Sequence, residues 1–202
     1  MKRAALLLAL TMATLLPQAA SAQSEDADAA KKAAFDKRIF GGSIGDKASA
    51  CFARRYDAGH LAQHPKQKVS AMKLLLTAEK APDEPVIHIY RIGVQFRGKP
   101  GNFDGDSACG YLIDDEGKKE TSFSCGAECG GGGFEVALAK DDKSVIVRLD
   151  TIGIYDRKHP DDDLLTLEGG KDDKVFRLDR VDNAECAELL PKPKQTASAQ
   201  RK

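Results

Sequence analysis

The sequence predicts an all-β protein, an antiparallel meander forming a barrel or a sandwich, with one or two short helical turns. Three observations predict it. Apolar alternation at the strand period recurs through the body of the chain. Asp, Gly and Lys turns separate these runs about every ten residues, the spacing of a barrel or sandwich. No segment of helical length stands between consecutive runs, as a doubly wound α/β sheet would require.

The chain opens on a targeting signal. Lys2 and Arg3 precede an apolar run from Ala4 to Leu16, and Ala20-Ser21-Ala22 follows as a small-residue cleavage site. That order is a secretory signal peptide, too short in its apolar part to cross a bilayer. Its short Ala/Leu-rich form looks bacterial, so the expected location is the periplasm or the medium. No later apolar stretch reaches about 18 residues, so no transmembrane span is expected.

Residues 23–37 are rich in Ala and charge and read as a solvated tether or a marginal helix. The expected organisation is a signal peptide over 1–22, a flexible segment over 23–50, one β-rich domain over 51–189 and a disordered tail over 190–202. Gly41-Gly42-Ser43-Ile44-Gly45 has the GxSxG spacing of serine hydrolases. That elbow needs a strand before the serine and a long helix after it, and this one precedes the sheet. It reads as a linker.

Asp57 to His64 is a helical turn, with Asp57 as N-cap and Pro65 as stop. Val69 to Thr77 and the long alternation Val86, His88, Tyr90, Ile92, Val94, Phe96 are strands, with Pro82 and Pro85 in the loop between them. Two hairpins follow from register. Setting Tyr111 against Phe123 places Cys109 against Cys125, with a short loop containing Gly117. Setting Phe134 against Leu149 places Val136 against Val147 and Leu138 against Val145, all on one face. Ile152 to Tyr155, Leu164 to Leu167 and Val175 to Leu178 add short strands, and Asn183 to Leu189 a last helical segment.

Charge excludes some functions. Lysine and arginine total 31, matched by 31 acids, which argues against nucleic acid as a partner. Export places all five cysteines where disulfides persist. The expected bridges are Cys109–Cys125, from register, and Cys51–Cys186, which ties the ends of the folded body. Cys129 is then the free thiol.

The remaining motifs fail their context. His60 and His64 share one helix face and would need His88 or an acid to complete a zinc set, but Leu61 stands where a metalloprotease places its general base. Cys125 and Cys129 form a CxxxC, the wrong spacing for CxxC redox chemistry, and only Met72 remains to assist copper. The run Gly130 to Gly133 leads into a strand and not into a phosphate-binding helix. Asn102 to Asp106 begins like a calcium loop but has Ser107 and Ile113 at the critical positions. Asp161 to Asp163 and Asp172-Asp173 read as solvated turns. The expected function is therefore a non-catalytic exported protein binding a small apolar ligand or another envelope protein, with no cofactor. A hydrolase or metal-dependent enzyme using His60, His64 and His88 is the first alternative. A copper or redox protein using Cys125 and Cys129 is the second.

Overall fold

The structure is a computed structural model that describes residues 19–80, 85–114, 119–126 and 132–191. The apolar run of the expected signal peptide, Cys129 and residues 192–202 of the expected tail lie outside the described residues.

A helix, α1 (Ala19–Phe40), leads into β1 (Lys47–Arg55), a short helix α2 (Ala58–Gln63), β2 (Val69–Glu79), β3 (Ile87–Phe96) and β4 (Lys99–Leu112). There follow β5 (Ser122–Gly126), β6 (Gly133–Leu138), β7 (Ser144–Leu149), β8 (Thr151–Asp156), β9 (Leu165–Glu168) and β10 (Val175–Val181). A 3-10 helix, Asn183–Leu189, ends the described chain apart from Leu190 and Pro191. Strands β1 to β7 run as an antiparallel meander, and β10 closes the circle between β7 and β1. Because β3 also pairs with β4, the result is a closed eight-stranded barrel, with β8 and β9 as an appended hairpin. Closure decides between barrel and sandwich, and it removes the unpaired edges of the eight strands.

Alternation places one side of each strand inside. Phe134, Val136 and Leu138 point inward and register with Leu149, Val147 and Val145. Glu135 and Arg148 face out and pair at 3.6 Å. Phe52, Phe103, Phe123 and Phe176 fill the axis, while Arg54, Lys73, Arg148 and Arg177 stand outside. A transmembrane barrel has the opposite pattern, an apolar exterior around a polar interior.

Both mouths are covered. At one, the hairpin β8–β9 inserts Ile152, Ile154 and Leu167 into the core. At the other, α1 inserts Phe35 and Ile39, with Phe35 edge-on to Phe123 at 4.9 Å. Of the two readings of residues 23–37, tether or helix, the chain takes the helix, and β1 begins at Lys47. The helix has few apolar anchors, but they stand four apart and so share one face. Its end is pinned as well. Arg180 donates to the carbonyls of Ile39 (2.8 Å) and Arg38 (3.1 Å), which have no partner within the helix. Arg38 in turn grips Asp142 with two nitrogens. Gly41, at φ 72°, makes the left-handed turn that stops the helix.

The outer face of β1 and β2 is buried too. Cys51 and Leu75 pack there against Cys186 and Leu189 of the 3-10 helix, and Cys51 is bonded to Cys186. The second disulfide joins the cross-strand neighbours Cys109 and Cys125. Asp173 also departs from expectation. It is 1% exposed, and its carboxylate accepts the backbone N–H groups of Lys68 and Val69. Asp172 accepts from Lys66 N. These acids tie the loop before β10 to the start of β2.

Candidate binding groove and buried polar triad

Strand β4 is longer than its sequence suggests, and its length creates a fork. From Cys109 to Leu112 it pairs with β5, and at Phe103 and Asp104 the same edge pairs with β8. Gly105 to Ala108, between these stretches, have register partners on the β3 side only. Gly105 is needed at the crossing, because a Cβ there would lie 2.9 Å from the Gly153 carbonyl oxygen. Gly132, at φ 75°, passes so close to the Thr151 carbonyl that a Cβ would collide with it.

Beside the fork lies an open groove of about 670 Å³ on the barrel wall. Ala108, Gly110, Ser124 and Gly133 line it with small side chains, and Phe134 and Leu149 add larger apolar ones. The Cys109–Cys125 disulfide also lines it. Glu135 and Arg148 face each other at one part of the lining, and Asp150 and Lys174 add a charge of each sign. The groove thus sets small and apolar residues beside fixed charges of both signs. Only one signal for it was present in the sequence, the concentration of small residues in 105–110 and 124–133.

The histidines do not converge. His60 and His64 stack at 4.4 Å, with Tyr56 on the other face of His60 at 4.6 Å. The His60 ring also bonds Gln67 at 3.0 Å. Gln67 adjoins Val69, which pairs with Phe96 at the far end of β3, whereas His88 opens that strand. The two sets belong to opposite ends of the barrel. Among the described residues, no group of three or more His, Cys, Asp or Glu side chains is placed to share a metal ion.

His88 has other company. It is 4% exposed and projects into the α1 mouth, near the ring of Phe123 at 4.8 Å. Asp36 of α1 lies against it, with Oδ1 at 3.2 Å from His88 Nε2. The Tyr111 hydroxyl donates to Asp36 Oδ2 at 2.6 Å and lies 3.3 Å from His88 Nε2. Burial, and then its hydrogen bond to the Asp36 carboxylate, push the Tyr111 phenol well above its ordinary value. Sequence reasoning weighed His88 only as a companion of His60 and His64 and missed this cluster.

A second charged pair closes the β3–β4 wall. Arg157 grips Asp104 through two bonds of 2.7 Å, and that hydrogen bonding is the main reason the guanidinium holds its proton even more firmly than usual. The match of Asp104 to Arg157 reads as bracing. Comparison with known protein families, curated proteins and solved structures finds no match for this chain.

Proposed function

We propose that the protein is an exported, non-catalytic β-barrel that binds another envelope protein through the groove beside the β4 fork. The groove carries this reading. The edge of β4 from Gly105 to Ala108, left without a strand partner beside the groove, suits an extended segment that adds backbone hydrogen bonds there while charges on the lining set its register. Export is supported by the leader read from Lys2 to Ala22 and by two disulfides, which suit an oxidising compartment. Among the described residues, no helix is long and apolar enough to cross a membrane.

A small apolar ligand fits less well. Phenylalanine side chains fill the barrel axis, and both mouths are covered. The enzyme alternative would have to draw together His60, His64 and His88 from opposite ends of the barrel. The copper or redox alternative would use Cys125, which is already bonded to Cys109.

Photo-crosslinking in the exporting cell tests the proposal. A crosslinking residue at Gly110 or Ser124 is expected to give a discrete protein adduct, weakened by Arg148→Glu. The same residue at Arg54, on the opposite wall, should give none. Equal adducts from both walls, or no adduct from the groove, would overturn the reading, and a lipid-sized adduct would favour the small ligand.

A further inference from the structure

We infer that Asp36, His88 and Tyr111 form a binding site for a first-row transition-metal ion, closed by α1 and independent of the groove. Three elements supply the donors: α1, the first turn of alternation in β3, and the end of β4. Their atoms converge. Asp36 Oδ1 lies 3.2 Å from His88 Nε2, the Tyr111 hydroxyl lies 3.3 Å from the same nitrogen, and it lies 2.6 Å from Asp36 Oδ2.

With metal–ligand bonds of about 2.0–2.2 Å, neighbouring donors stand roughly 2.8–3.6 Å apart, from octahedron to tetrahedron. Two of the three separations meet that range, and the short third one contains the proton that a metal would replace. A second observation concerns the same oxygen. Asp36 is 8% exposed, and its Oδ1, although 3.2 Å from His88 Nε2, is buried without accepting a hydrogen bond. Buried carboxylate oxygens ordinarily find a donor or a cation.

The donor set defines the class of ion. Imidazole, carboxylate and phenolate, with no sulfur, suit borderline to hard ions such as zinc, cupric and ferric. Binding is a displacement that balances simply: Tyr111 releases its proton to solvent, and the phenolate oxygen, one Asp36 oxygen and His88 Nε2 each donate a lone pair. No oxidation is involved. Phe40 and Phe123 hold apolar rings beside His88 and limit the approach of water. Because α1 supplies one ligand, a bound ion would fasten the helix to the barrel mouth.

The test titrates the purified protein with Zn²⁺, with Cu²⁺ and with Fe³⁺ delivered as citrate. Saturation at one ion per chain is expected, with release of a proton and a rise in Tm. The Cu²⁺ or Fe³⁺ form should show a visible phenolate-to-metal charge-transfer band. Tyr111→Phe keeps the ring in place and should abolish that band while weakening affinity about tenfold or more. Asp36→Asn should weaken it similarly, and a His60→Ala/His64→Ala variant should bind unchanged. No saturable binding by the wild type would overturn the inference. So would binding that survives Tyr111→Phe but is lost with His60 and His64, which is chelation by that half-buried pair.

Discussion

Val136→Asp is expected to cost about 3 kcal/mol or more, a large share of the roughly 5–15 kcal/mol that holds a typical domain together. Val136 is fully buried, registers with Phe123 on one side and Val147 on the other, and points into the filled barrel. The nearby core is apolar, with Phe134 meeting Tyr90 edge-on at 4.7 Å. A carboxylate there has no counter-ion and leaves water without compensation. Urea denaturation reads the loss as a fall in midpoint. An unchanged melting temperature would mean that Val136 does not face the core, and the β6–β7 register would fall with it.

Removing the Cys51–Cys186 bridge as the Cys51→Ala/Cys186→Ala pair is expected to cost about 4–5 kcal/mol in the chain-entropy model. The bond spans 135 residues and joins the first barrel strand to the closing 3-10 helix. Without it, the unfolded chain regains nearly all its freedom, and the helix is left with Leu189, capping by Asp182, the bonds from Asn183 to Ser49, and Lys73 bonded to Glu188 at 2.8 Å and to the Glu185 carbonyl. The Cys109–Cys125 bridge spans 16 residues, and its removal should cost less, about 3 kcal/mol. Denaturation of both double variants checks the order. A greater loss from the short bridge would contradict the role given to the long one.

The parts of the fold that were legible in the sequence are those where one buried face fixes a register. Phe134, Val136 and Leu138 can meet Val145 to Leu149 in only one apolar arrangement, and a slip by one residue would turn all of them outward. Tyr111 and Phe123 set the β4–β5 pairing in the same way, bringing Cys109 opposite Cys125. The first part of β4 was not legible. Gly101, Asn102, Asp104, Gly105 and Asp106 have the composition of a turn, but tertiary contacts hold them extended: Gly105 admits the Gly153 carbonyl, and Asp104 receives Arg157.

The role of α1 was hidden because a helix that caps a mouth needs only a small apolar face. Phe35 and Ile39, four apart with Gly41 just beyond, were the available signal. The triad lay further out of reach, since residues 36, 88 and 111 share no local pattern. One clue existed. His88 falls in the inward series with Tyr90 and Ile92, and an inward histidine demands a polar partner. The identity of that partner depends on where α1 docks, which alternation within strands does not encode.

Non-reducing peptide mapping of the exported protein, with intact mass, tests the account of an exported, disulfide-braced barrel most directly. The account predicts a chain beginning at Gln23, Cys51 linked to Cys186, Cys109 linked to Cys125, and Cys129 open to alkylation. A chain that keeps Met1 with all thiols reduced, or a Cys125–Cys129 link, would contradict it.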